Sequence, residues 1–170
     1  MTPLASHTMA SPIGPLGLFG RGDQLVYLHL PDGTDPPPIA SCDATPILHR
    51  AAQQLAEYFA GARTEFELEL APEGTPFQRL VWDALRAIPY GVTVTYGHLA
   101  RAIGRPAASR AVGAANGRNP LSIIVPCHRV IGAGGALTGY GGGLPAKQFL
   151  LQHERASARS GAPQLALFGA

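Results

Sequence analysis

The spacing of apolar residues changes along the chain, and each change marks a predicted element. Residues 11–18 and 24–30 read as two strands separated by a turn around residues 20–23. Residues 32–38, with three consecutive prolines, read as a loop. Ile47, Leu48, Ala51, Ala52, Leu55, Tyr58 and Phe59 then fall at helical spacing, predicting a helix over 45–60 that Gly61 closes. Phe66, Leu68 and Leu70 alternate with polar residues, predicting a half-buried strand over 64–70, and 71–74 reads as a linker.

A second unit begins at Thr75, which sits at a predicted N-cap with Pro76 in the first turn and Gln78 at the capping-box position. Its helix carries Phe77, Leu80, Val81, Leu85 and Ile88 and stops before Pro89 and Gly91. A short extended piece over 92–95 precedes two helices, 96–103 and 107–116, around the break at Gly104, a helix-turn-helix pattern. Residues 121–125 read as a strand leading to Cys127, 132–143 as a glycine-rich segment and 144–154 as a last helix. A loosely held tail follows from 155. The fold class expected is α+β: a small sheet-plus-helix domain over 1–73, a mainly helical, winged-helix-like domain over 74–156, and a C-terminal tail over 157–170.

Composition makes this a packed protein rather than a disordered one, with 46% hydrophobic and 14% charged residues. No apolar run reaches the ~20 residues of a membrane span, and the first ten residues lack the pattern of a signal peptide, so a cytoplasmic protein is expected. The net charge of +2 hides a strong asymmetry. Every acid except Glu154 lies at or before Asp83, whereas Arg86, Arg101, Arg105, Arg110, Arg118, Arg129 and Lys147 all follow it. A GC-biased genome would favour arginine over lysine, but it does not remove acids, and the basic half points to a polyanion.

The chemistry concentrates in Ile123-Ile124-Val125-Pro126-Cys127-His128-Arg129-Val130-Ile131. A cysteine reacts as thiolate, which neighbouring cations favour, and the proline before it is expected to hold the sulfur at a strand end instead of burying it. An inert apolar cysteine is the competing reading. No second Cys or His stands at metal-ligand spacing, and the glycines of 132–143 lack the order of a nucleotide loop, since Leu137 stands where a third glycine belongs. Cys42 lies in a loop of the acidic half and receives no role.

Pro126-Cys127-His128-Arg129-Val130 resembles the active-site signature of the O6-alkylguanine-DNA alkyltransferases (methylated-DNA–protein-cysteine methyltransferases). The resemblance extends through Arg110-Ala111-Val112-Gly113, Asn119-Pro120, Thr138-Gly139-Tyr140-Gly141-Gly142-Gly143-Leu144 and Leu150-Leu151-Gln152-His153-Glu154. It covers 74–154 closely, and more loosely the opening Ser11-Pro12-Ile13-Gly14-Pro15-Leu16. It implies that Cys127 takes an alkyl group from O6-alkylguanine in double-stranded DNA in a single turnover, without a cofactor. O4-alkylthymine is left open as a second substrate. His128 would act as base through a water, with Glu154 orienting it and Asn119 holding the turn that carries the cysteine.

The resemblance further implies that Arg110 replaces a base flipped out of the duplex and that Tyr96 offers its hydroxyl to the departing guanine. The alanine- and glycine-rich second helix, with Ala111 and Gly113 and with Arg118 at its end, would enter the minor groove. Val130, Tyr140, Gly141, Ser122 and Arg129 would line the alkylguanine pocket. A monomer is expected, with cooperativity on DNA left open. Three alternatives predict something else: a lesion-binding relative lacks the nucleophile, a transcriptional regulator needs polar side chains on its reading helix, and a cysteine hydrolase leaves the basic half unexplained.

Overall fold

A computed structural model describes residues 2–38 and 43–160. Three antiparallel strands open the chain: β1 Ala5–Met9, β2 Leu16–Arg21 and β3 Gln24–His29. Sequence reading placed the first strand over 11–18, but residues 11–15 form the turn between β1 and β2, where Ser11 Oγ accepts from Ile13 N and Gly14 takes a φ of +103°. β1 escaped notice because its residues, Ala-Ser-His-Thr-Met, carry little apolar alternation. The β2–β3 hairpin turns at Gly22, whose φ of +59° disfavours a side chain.

Helix α1, Pro46–Phe59, packs Ile47, Leu48, Ala51, Leu55 and Tyr58 on this sheet. Gly20 is the contact point, since a Cβ there would lie 3.1 Å from Ile47 Cγ2 and 3.2 Å from Leu48 Cδ2. Residues 64–70 form no ladder strand, contrary to the expectation from their alternation; only Leu70 bridges, to Leu25. The reason is a side chain that stands in for a neighbouring strand. Gln54 donates through Nε2 to Glu67 O (3.1 Å) and accepts from Glu67 N (2.9 Å), so the Glu67 backbone is satisfied without a ladder, and pairing is confined to Leu25 with Glu69 O and Ala71 N. Leu68 still points inward, as predicted.

Helix α2, Pro76–Arg86, begins with the predicted capping box: Gln78 N donates to Thr75 Oγ1 and Thr75 N to Gln78 Oε1. β4, Val94–Thr95, pairs in parallel with β5, Val130–Ile131. Between them α3, Tyr96–Ala102, and α4, Ser109–Gly117, pack around Gly104, whose φ is +72°. Trp82 from α2 anchors α4 by donating Nε1–H to Ala115 O at 2.9 Å. The two halves share one apolar core, and Leu28 N donates to Pro120 O across their seam.

Residues 121–125 are also not the expected strand. Ile123 sits buried with a φ of +75°, and Val125 N donates back to Leu121 O, closing a tight loop. A β-branched residue in this region costs of order 1–3 kcal/mol, which the surrounding core must offset. Helix α5, Leu144–Ser160, runs past the predicted end at 154. Its last turn is held rather than loose, because Ala158 packs at Gly91 and Ser157 at Gly61. The rest of the expected tail, 161–170, and Cys42 lie outside the described residues.

Gly74 tests the seam. A Cβ there would collide with Trp82, reaching Cζ3 at 2.6 Å and Gln78 Oε1 at 2.9 Å, and Trp82 is fixed by its bond to Ala115. Gly74→Ala is expected to lower stability by about 1–3 kcal/mol, measured as a fall in urea midpoint at constant slope.

Candidate active site around a buried cysteine

Cys127 opens a single 3-10 turn, Cys127–Arg129, and its approach is shaped by Pro126. With φ −81° and ψ 64°, Pro126 forms the centre of an inverse γ-turn, in which Cys127 N donates to Val125 O at 2.8 Å. Proline has the required φ in advance. Asn119 holds the same loop from outside, donating Nδ2 to Val125 O (2.7 Å) and accepting from Leu121 N (3.0 Å). Asn116 on α4 adds a longer contact to Cys127 O, at 3.4 Å.

The thiol is not held out in solvent as the sequence suggested; Cys127 is only 3% exposed. It lies in the wall of a cleft of about 610 Å³. Asn116, Gly117, Arg118, Asn119, Ser122 and Gly141 line it from the second unit, and Tyr27, Leu30 and Thr34 from the first. Burial pushes the thiol's pKa up, while hydrogen bonds from Asn119 and Ser122 and the Lys147 charge act in the opposite direction. The resting site therefore holds a thiol, and a base must take its proton.

His128 is the neighbouring base, fully buried, with Nε2 2.7 Å from Glu154 Oε1. Burial lowers its pKa against the opposing pull of Glu154, helped by the charges of Arg129 and Lys147, so the imidazole is neutral. Glu154 is ionised. Burial alone would raise its pKa, but hydrogen bonds from His128 and Arg129 hold the carboxyl far below the usual range. An ionised carboxylate only accepts, so His128 carries its proton on Nε2 and leaves Nδ1 as an acceptor. No group of the described residues occupies that Nδ1.

Glu154 collects five donors: Tyr58 Oη (2.8 Å), His128 Nε2 (2.7 Å), Arg129 Nε and Nη2 (both 2.9 Å) and Gly91 N (3.2 Å). The structure thus places Arg129 on Glu154 rather than at the pocket wall where the sequence put it. Its remaining nitrogen, Nη1, donates to Ile88 O, and its guanidinium lies 5.6 Å from the Tyr90 ring centre.

Lys147 belongs by sequence to the basic half expected to face a polyanion, yet it is fully buried and donates to Val130 O (2.7 Å) and Thr138 O (2.8 Å). It ties β5 to the glycine-rich segment. Being the chain's one lysine was the available signal for it. Tyr58 and Asn116 gave no sequence signal beyond helical spacing.

Of the remaining candidates, Arg118 and Gly141 line the cleft, whereas Tyr140, Tyr96, Gly113, Arg110 and Ala111 are not among its lining residues. Tyr140 is half-buried with an unpartnered hydroxyl, kept protonated first by burial and further by any charge on the Cys127 sulfur, and Gly141 follows it in the turn closed by Gly143 N to Tyr140 O. Tyr96 starts α3, where its Oη accepts from Thr138 Oγ1 at 3.3 Å. Gly113 faces that ring, and a Cβ there would make an ordinary contact with it at 3.7 Å. Val112, Ala115 and Asn116 face inward from α4, leaving Arg110, Ala111, Ala114, Gly117 and Arg118 exposed. Arg110 and Arg118 make no ion pair with any described residue.

Family models cover both halves: residues 4–72 match the 6-O-methylguanine DNA methyltransferase ribonuclease-like domain, and 76–156 match the DNA binding domain. A methylated-DNA–protein-cysteine methyltransferase of Mycolicibacterium paratuberculosis is 54% identical over 88% of this chain and 91% of its own. One from Methanosarcina acetivorans is 53% identical over 85% and 94%. Mycobacterium tuberculosis OGT, solved in complex with DNA, superimposes with a TM-score of 0.81 at 50% identity, covering 90% of this chain and 94% of that one.

Stability should depend on this charge cluster. His128 has a lowered folded pKa, so protons favour the unfolded chain, and stability declines as pH falls below the unfolded value of ~6.5. Glu154, also depressed, adds a second decline below ~4.3 as pH moves toward its folded value. Glu154→Gln leaves Arg129 buried without its counter-charge and should cost about 3–5 kcal/mol at neutral pH while removing the lower-pH decline. Urea denaturation across pH reads both effects.

Proposed function

Because the chain belongs to the 6-O-methylguanine DNA methyltransferase family, we propose that it repairs O6-methylguanine in DNA by moving the methyl group onto Cys127. The observation that carries the assignment of roles is the line Cys127, His128, Glu154. A thiol at the cleft wall is followed by an imidazole whose Nε2 is tied to a buried carboxylate and whose Nδ1 is free.

In the reaction, His128 Nδ1 takes the thiol proton, directly or through one water, and the ionised Glu154 stabilises the imidazolium that forms. The Cys127 sulfur attacks the methyl carbon as the carbon–O6 bond breaks, and the electron pair moves into the guanine ring. The departing guanine takes up one proton, so a thiol and an O-methylated base become a thioether and guanine. Tyr96 is the residue that would donate its hydroxyl to the developing negative charge, as the family resemblance implies. A thioether offers water no good leaving group, so each molecule reacts once.

A sulfur this buried cannot reach a base stacked in a duplex, so the base must rotate out into the cleft. The exposed face of α4, with Ala111, Ala114 and Gly117, is slim enough for a minor groove ~6 Å wide. Arg110, unpaired on that face, is the side chain to fill the vacated stack, and Arg118 reaches phosphate. Ser122 and Gly141 flank the entering base beside Cys127. Every group of the relay comes from one chain, so a monomer suffices, and a free thiol suits the reducing cytosol. The division into domains over 1–73 and 74–156 is part of this reading.

Incubation with duplex DNA containing one O6-methylguanine should add one methyl group to the intact mass of the wild-type protein and none to Cys127→Ser. His128→Phe should slow the single-turnover rate by about 10²–10⁴-fold. A methyl gain in Cys127→Ser would locate the acceptor elsewhere and overturn the assignment.

A further inference from the structure

The relay of Cys127, His128 and Glu154 lies within the second unit, but one of its hydrogen bonds does not. Tyr58 stands in the last turn of α1, in the N-terminal unit, and is fully buried. Its Oη reaches Glu154 Oε1 at 2.8 Å, the same oxygen that accepts from His128 Nε2 at 2.7 Å and Arg129 Nη2 at 2.9 Å. Phenol and imidazole therefore share one carboxylate oxygen. Tyr58 is always the donor, because burial and then the Glu154 charge keep its hydroxyl protonated far above the ordinary range.

The ring carrying that hydroxyl is held on several sides. Phe59, Phe66, Tyr90 and His153 surround it with ring centres 5.2 to 6.0 Å away. The Tyr58 carbonyl lies 2.7 Å from His153 Nε2, one residue before Glu154 on α5. Packing alone would be served by phenylalanine. The hydroxyl is spent on the carboxylate, and the backbone is separately fixed to the same helix.

We propose that Tyr58 is a positioning residue for methyl transfer: by sharing Glu154 Oε1 with His128, the N-terminal unit limits how strongly the carboxylate holds the imidazole proton. The proposal rests on the reading above, in which His128 receives the thiol proton. An oxygen that accepts from a phenol and a guanidinium has less charge left for the imidazole. Without the phenol, Oε1 binds His128–H more tightly, favours the imidazolium, and leaves Nδ1 occupied by a proton up to a higher pH. The titratable and charged groups facing this pair are Tyr58 from α1, Tyr90 from the turn after α2, Arg129 from the 3-10 turn, Tyr140 from the glycine-rich segment and Lys147 from α5. Of these, only Tyr58 belongs to the N-terminal unit.

The test compares full-length wild type, Tyr58→Phe and protein with 3,5-difluorotyrosine at position 58, a stronger donor of nearly the same shape. Single-turnover methyl transfer from O6-methylguanine duplex is followed over roughly pH 5.5–9, the range in which a histidine base titrates. Tyr58→Phe is expected to move the acid limb to higher pH, slowing transfer about tenfold near pH 6 and little on the alkaline plateau. Difluorotyrosine should move the limb to lower pH. Lesion-duplex affinity, measured in a Cys127→Ser background, should be unchanged by Tyr58→Phe.

Superimposable profiles for all three proteins would overturn the proposal. So would a uniform loss of rate at every pH accompanied by a lower urea midpoint, which marks a purely structural role. His128→Phe separates the two levels of inference. If it keeps the wild-type rate and acid limb, the underlying relay fails. If it abolishes the limb while Tyr58 changes do nothing, only the role of Tyr58 fails.

Discussion

One buried carboxylate holds the active half of this protein together. Glu154 takes donors from helix α1, from the turn at Gly91 and from the 3-10 turn that carries Cys127, while itself sitting on α5. Four segments distant in sequence are thereby fixed to one point. An isolated buried carboxylate would be expensive by several kcal/mol, and it persists because Arg129 neutralises it and every oxygen is hydrogen-bonded. Breaking any one partner leaves the others buried and unbalanced, which is why stability and chemistry are coupled here.

The loop before the cysteine is bound by a complementary constraint. Ile123 is held in a backbone region that β-branched residues avoid, and Pro126 then turns the chain through an inverse γ-turn. Asn119 bonds both sides of that loop, and Lys147 bonds the strand that leaves it. A nucleophile set between two such anchors cannot move outward to meet a stacked base. The substrate must be brought to the sulfur, and the route proposed for it is the small-residue face of α4, flanked by Arg110 and Arg118, which make no ion pair with any described residue.

The chemistry of the site was legible because its residues are adjacent: Cys127, His128 and Arg129 are consecutive, and Glu154 is the one acid in the basic half. Helices were legible wherever an apolar stripe or a cap marked them, as for α1 and the capping box of α2. Strands were less so. The alternation over 64–70 describes which side chains face inward, and that much is met by Leu68, but it does not state what bonds the backbone, which is Gln54 at Glu67 and Leu25 at the segment's end. The apolar run over 121–125 is a tight loop for a similar reason, since full burial makes both conformations equally apolar.

The sequence by itself therefore determined the family and the α+β plan and pointed to the candidate nucleophile and base, because these reside in residue identity and short spacing. The tertiary structure alone decided that the thiol is buried, that Arg129 and Lys147 are internal ties rather than part of the charged surface, and that Tyr58 reaches the catalytic carboxylate. Those facts depend on which distant segments meet. A charged side chain reads the same in sequence whether it faces a phosphate or a buried carboxylate, and only packing distinguishes the two.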